Sequence, residues 1–152
     1  MAISNYEEDV QVSALQAYTL LSMDGLHLLI PRNEIRSLVS VDDIQVAVEA
    51  EKNAMGHIVF ENGDWPVFSL SRQLNPLHSI SNASRICVIL HIDDKYMGLL
   101  CDQIQNIGQL QTQAMRACMS TADSPISGLL IYENSVACVT STKHLNTFLA
   151  TK

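Results

Sequence analysis

The sequence predicts an all-β fold, mostly strand with a few short helices. Apolar runs are short, polar pairs such as Asp24-Gly25, Asp93-Asp94 and Glu133-Asn134 separate them, and no apolar helical stripe lasts beyond about two turns. That combination marks a barrel or a sandwich.

Residues 1 to about 13 are polar and charged and are expected to fray. Ala17 to Ser22 reads as the first strand, Met23-Asp24-Gly25 as its turn, and Leu26 to Ile30 as the return strand before Pro31. Ile35 and Leu38 predict a short helical turn over Arg32 to Leu38, with Asn33, Glu34 and Arg36 on its polar side. Val39 to Met55 fits an edge strand or an extended loop. Gly56 to Phe60 and Trp65 to Leu70 are strands flanking a turn at Glu61 to Asp64, and Pro66 confines the second to an edge or a strand start. Ser71 to Ser84, with Asn75-Pro76 and serines around Asn82, is a connector.

Ile86 to Ile92 and Tyr96 to Cys101 form a hairpin across Asp93, Asp94 and Lys95, closed by Asp102. Ile86, Val88, Leu90 and Ile92 share one face of the first strand, while Cys87, Ile89 and His91 share the other. A strand apolar on both faces belongs inside a barrel or sandwich. Ile104, Ile107 and Leu110 fit one helical face, or a strand with a bulge near Asn106 and Gly108. Thr112 to Met119 fits a loop or one helical turn, and Thr121 to Ser127 a loop. Gly128 to Tyr132 and Ser135 to Val139 form the last hairpin across Glu133-Asn134. Thr142 is the expected N-cap of a helix over Lys143 to Leu149 that docks Leu145, Phe148 and Leu149 on the body. LLSMDGLHLLIP and ILHIDDKYMGLL share one layout, with Asp24 and Asp93 at corresponding places, so the chain reads as two related halves.

A chain of 152 residues suffices for one compact domain or two small barrels sharing a core. Nine Lys and Arg against sixteen Asp and Glu give a formal charge of −7, which argues against nucleic acid or an anionic membrane as partner. The longest apolar run, Ile86 to Leu90, is far short of the ~20 residues that cross a bilayer. The acidic start MAISNYEEDV is unlike a leader, and the expected location is cytoplasmic. Cys87, Cys101, Cys118 and Cys138 are dispersed and read as small buried hydrophobes, not as a zinc site.

The candidate chemistry is thin. Asp42-Asp43 and Asp93-Asp94 sit where solvated turns explain them. His27, His57 and His91 lie in strand-like runs with no second ligand at i+2, so no metal is expected. Phosphate loops, nucleophile elbows and zinc-helix motifs are absent, so no catalytic residue and no cofactor are assigned. Trp65 serves equally as a recognition anchor or as core.

RICVILHIDDKYMGLLCDQIQNIGQL, with Gly98, Leu99, Leu100, Cys101 and Asp102 followed by Ile104 and Ile107, resembles the second half of the CheW-like domain of bacterial chemotaxis coupling proteins. The likeness extends to Leu28 to Pro31 with Glu34-Ile35-Arg36, to Gly56 to Leu70, and to Pro125 to Leu145. The resemblance implies two intertwined SH3-like five-stranded β-barrels with a C-terminal helix. On that basis residues 14–150 form a single domain, with the first barrel mainly 14–70 plus the helix and the second mainly 84–140. It also implies a non-catalytic adaptor that joins the chemoreceptor signalling tip to the regulatory domain of a histidine kinase. The chain departs from the family in one loop: Val59, Phe60, Glu61 and Asn62 stand where the family has Asn-Leu-Arg-Gly, so an acid replaces an Arg. Ser69 stands where the family has Asp, and Thr140 where its closing strand often has another. A changed partner, a pilus-linked paralogue or a competitor of the standard adaptor would each accommodate this. Glu34, Arg36, Phe60, Glu61, Asn62 and Trp65 are the residues assigned to partner surfaces. A small ligand-binding or catalytic barrel is the competing reading, and would require a deep pocket where His or Asp side chains converge.

Overall fold

The structure is a computed structural model that describes residues 17–46, 53–80, 84–109, 115–117, 125–132 and 135–151. The expectations for residues 1–13, for 47–52 in the Val39 to Met55 stretch, for Ser81 and Asn82, for Leu110, for 112–114, for 118–124 with Cys118 among them, and for the Glu133-Asn134 turn lie outside the described residues.

Hairpins supply the framework. Strands β1 (Ala17–Met23) and β2 (Leu26–Pro31) meet at a two-residue turn in which Asp24 (φ 49°) and Gly25 (φ 81°) are both left-handed. Turns of that hand follow the twist of paired strands, and Asp and Gly tolerate them best. β5 (Gly56–Phe60) and β6 (Gly63–Leu70) join at Glu61 (φ 46°) and Asn62 (φ 63°). The turn is thus shorter than the expected Glu61 to Asp64. β8 (Ile86–Ile92) and β9 (Lys95–Cys101) join at Asp93 (φ 54°) and Asp94, and Lys95 belongs to the strand. β12 (Gly128–Tyr132) pairs with β13 (Ser135–Val139).

Two segments differ from expectation, and a third takes the bulged-strand form of its two expected alternatives. After a 3-10 turn at Arg32–Glu34, residues Ile35–Ser40 form strand β3 in place of a helical turn. Pairing of Leu38 with Val88 and of Val39 with Cys87 on β8 overrides the three-residue spacing of Ile35 and Leu38. Gln103–Gln109 is strand β10, and the register opposite Ala17 and Tyr18 breaks so that Gly108 is the extra residue of a bulge. Met115–Ala117 is a short strand, β11, not loop or helix. Two small strands complete the set: β4 (Gln45–Val46) after a 3-10 turn at Val41–Asp43, and β7 (Pro76–Leu77) within the connector.

The strands form two curled sheets, in the orders β10-β1-β2-β13-β12-β11 and β3-β8-β9-β6-β5-β4, with β7 added beside β6. Among the described residues each holds a single parallel junction, β2 with β13 in one and β6 with β9 in the other. The correspondence is thorough. Each leading hairpin, β1–β2 or β8–β9, sends its next strand to the other sheet: β3 pairs with β8, and β10 pairs with β1. Neither sheet is drawn from one half of the chain. Two five-stranded barrels therefore interlock, with β4 and β11 extending equivalent edges.

This exchange explains strands that are apolar on both faces. Leu29, Tyr18, Ile107, Ala137 and Val139 fill one barrel. Cys87, Ile89, Ile58, Val67 and Leu100 fill the other. Alternate residues Leu28, Ile30, Val88, Leu90 and Leu99 face a third core between the barrels. Helix α1 (Thr142–Thr151) buries Leu145 and Leu149 there, with Phe148 packed beside them. Ser141, not Thr142, caps it: the Ser141 hydroxyl accepts from the His144 amide at 3.1 Å, while the Thr140 amide still donates to Leu29 of β2.

Candidate partner-binding site

One end of the β3–β9 barrel carries most of the residues singled out by the sequence. On β3, Ile35 pairs with Leu90 and Ser37 with Ile89, which leaves Arg36 as the extra residue of a bulge. A bulge redirects a side chain, and Arg36 leaves the edge strand to reach the β5–β6 turn. Its Nη2 donates to Glu61 Oε1 at 2.6 Å. Glu61 Oε2 accepts from the Tyr96 hydroxyl on β9 at 2.7 Å. Tyr96 and then Glu61 hold the Arg36 guanidinium pKa above its usual value. Strands far apart in the sheet order are thus clasped across the barrel mouth.

Aromatic rings form the floor of that clasp. Tyr96 meets Phe60 and Trp65 edge to face, each at a centroid distance of 5.2 Å and an interplanar angle of 76°. The Trp65 indole donates to the Phe60 carbonyl at 2.8 Å. The indole crosses Gly63 so closely that a Cβ there would lie 2.6 Å from Trp65 Cζ2. The Arg36 and Glu61 side chains stay 51% and 40% exposed, so the pair remains accessible above the rings. On the outer face of the same hairpin, His57 Nδ1 meets Asp64 Oδ1 at 2.6 Å.

The structure brings together Arg36, Phe60, Glu61 and Trp65, with Asn62 beside them in the turn. Glu34 is elsewhere: its Oε1 accepts from the Thr142 amide at 2.6 Å and holds the start of α1. Tyr96 is the residue that sequence reasoning missed. An aromatic opening a strand beside a polar turn was the available signal.

A second feature lies where the barrels meet. The edge strands β3 and β10 flank a cleft lined by Thr19, Arg32, Ile35, Leu38, Ile104 and Asn106. Through Ile104 it adjoins another lined by Leu20, Ser22, Ile86, Gln103 and Gln105, of about 370 Å³. Leu38 is half exposed there, an apolar side chain without full cover. Arg32 Nη2 donates to the Ile107 carbonyl at 3.2 Å, blunting the β10 edge.

The remaining candidates have local partners. Ser22 Oγ meets His27 Nδ1 at 2.9 Å, and His91 Nε2 donates to the Asn33 carbonyl at 2.9 Å. Among the described residues no three His, Cys, Asp or Glu side chains converge as a metal site would require. Asp42, Asp43, Asp93 and Asp94 are exposed in turns. Cys87 and Cys101 are buried; burial pushes Cys87 up to about 12, helped by Cys101, and burial followed by Asp102 does the same for Cys101. The Thr140 hydroxyl donates to the Pro125 carbonyl.

The family model for the CheW-like domain matches residues 17–147. The chain belongs to the CheW-like domain family. This CheW-like domain is similar in structure to the scaffolding protein TtCheW from Thermoanaerobacter tengcongensis. The TM-score is 0.66 and the identity 14%, over 82% of this chain and 88% of that one. At that identity the likeness carries the fold alone. No curated protein sequence matches. Family membership makes the chain a chemotaxis-type adaptor or scaffold domain, from a family of non-catalytic proteins. Among the described residues no helix is long and apolar enough to cross a membrane.

Proposed function

We propose that this domain is a non-catalytic adaptor that couples a chemoreceptor signalling tip to the regulatory domain of a histidine kinase. One observation supports the reading: among the described residues both barrel interiors are packed with side chains, while Leu38 stays half exposed at the inter-barrel cleft and the Arg36–Glu61 pair stays accessible at the mouth. A packed barrel offers a small substrate little; a rigid body that presents an apolar cleft and an ion pair at its surface suits a scaffold. The cleft, with Leu38 half exposed, fits apolar side chains from an amphipathic helix such as a receptor tip. The mouth, with interlocked rings below an ion pair, fits a second protein surface, that of the kinase domain.

The test is direct. The purified domain should comigrate with the regulatory domain of the chemotaxis-type kinase from its own genome, and with that system's receptor tip, at roughly tens of micromolar. Failure to bind either sinks the reading.

A further inference from the structure

We propose that the direction of the Arg36–Glu61 ion pair is the specificity determinant of the kinase-facing surface: it selects a regulatory domain that presents an anion over Arg36 and a cation over Glu61. The inference rests on the adaptor reading and adds the chemistry of its partner.

The pair is preorganised. Glu61 sits in a turn with two left-handed residues, and each carboxylate oxygen is already held once, by Arg36 Nη2 and by the Tyr96 hydroxyl. Arg36 projects from a bulge, and Tyr96 is wedged against Phe60 and Trp65. Groups fixed in this way lose little further freedom when a partner arrives.

The pair is also incompletely satisfied. Each Glu61 oxygen keeps a second lone pair, and a guanidinium has five N–H donors, so both groups retain outward bonding capacity while about half exposed. A partner that closes over the mouth takes water from that capacity. Apolar cover would strand both charges, a lone cation would face Arg36, and a lone anion would face Glu61. A matched pair satisfies both. Because the two charges cancel, the mouth adds no net charge, and the partner reads the direction of the pair.

The test compares binding of the regulatory domain from the same genome to the wild type, to Glu61→Arg, and to the double variant Arg36→Glu with Glu61→Arg. Glu61→Arg alone sets two guanidinium groups side by side and lowers Tm. The double variant restores Tm towards the wild type, yet binds the domain at least about tenfold more weakly because the pair points the other way. A double variant that melts like the wild type and binds with unchanged affinity overturns the inference while leaving the adaptor reading intact. Should the double variant fail to fold, Arg36→Gln with Glu61→Gln keeps the shape without the charges: a loss of about tenfold is expected, and unchanged affinity overturns the inference. A wild-type domain that does not bind overturns both readings together.

Discussion

The Asp24 amide donates to Asp102 Oδ2 at 3.1 Å, which ties the turn of the first hairpin to the residue that ends the second. Asp24 Oδ2 in turn accepts from the Arg72 amide at 3.1 Å, and the Asp102 amide donates to the Ser22 carbonyl at 2.8 Å. Two acids thus meet backbone amides, not each other. This is where β9 hands the chain back to the other sheet, so Asp102 is a structural latch at the crossover. Asp102→Ala is expected to lower stability by about 1 kcal/mol, the scale of one solvent-accessible hydrogen bond, while Asp102→Asn retains most of it. Urea denaturation of both variants measures this, and equal losses would mean that the acceptor geometry is unimportant.

Glu34 is expected to act on stability before binding. Glu34→Ala removes the acceptor of the Thr142 amide, and Thr142 is only 1% exposed, so water replaces that bond poorly. A loss of about 1–2 kcal/mol should follow, with α1 loosened first. Hydrogen exchange at residues 142–145 reports it. Protection unchanged in Glu34→Ala would show that this bond does not hold the start of the helix.

Gly63→Ala should open the aromatic floor. The added methyl meets the indole, which must rotate away from Tyr96 and from the Phe60 carbonyl. The expected cost is about 1–3 kcal/mol, as for overpacking elsewhere. Trp65 is the single tryptophan, so its fluorescence reads the site directly; an unshifted spectrum contradicts the placement.

The parts of the fold legible in the sequence are those set by neighbours in the chain. Asp24-Gly25 and Asp93-Asp94 announce their hairpins because Asp and Gly tolerate the left-handed backbone that Asp24, Gly25 and Asp93 adopt. The exchange of β3 and β10 was not legible. Leu38 pairs with Val88, fifty residues on, and nothing in the Ile35 and Leu38 spacing records that partner. The site divides in the same way. Glu61 stood out because it replaces an Arg in the family loop, and Trp65 because it lies beside a turn. The Tyr96 bond to Glu61 spans 35 positions, and the reach of Arg36 depends on a bulge that only pairing with β8 creates. The bond from the Thr142 amide to Glu34 spans 108 positions and was not legible either.

The buried thiols make stability fall in alkali. Burial pushes Cys87 and Cys101 up to about 12 from the ordinary thiol value of 9.0, so each keeps its proton in the folded state after the unfolded chain has lost it. The unfolded state then binds fewer protons, and stability must decline as pH rises. The contribution is fully present below about pH 9. It is lost towards pH 12, at up to about 1.4 kcal/mol per pH unit for each thiol. Urea midpoints at pH 8 and pH 10.5 should fall more steeply for the wild type than for Cys101→Ala, after allowing for the cavity at neutral pH. Equal slopes would show that Cys101 is reachable by solvent.

Leu38→Glu separates the cleft from the core. Leu38 is 50% exposed on an edge strand, so the substitution should change stability by no more than about 0.5–1 kcal/mol. The cleft is another matter: a carboxylate between Ile35 and Ile104 would have to be desolvated by any apolar side chain seated there. Binding of the receptor tip should weaken by at least about tenfold, while binding of the kinase domain at the Arg36–Glu61 mouth should hold. Titration of each partner against wild type and variant, with Tm measured alongside, gives the comparison. Parallel loss of both partners would mean that cleft and mouth are one surface, and loss of neither would remove the cleft from the receptor interface.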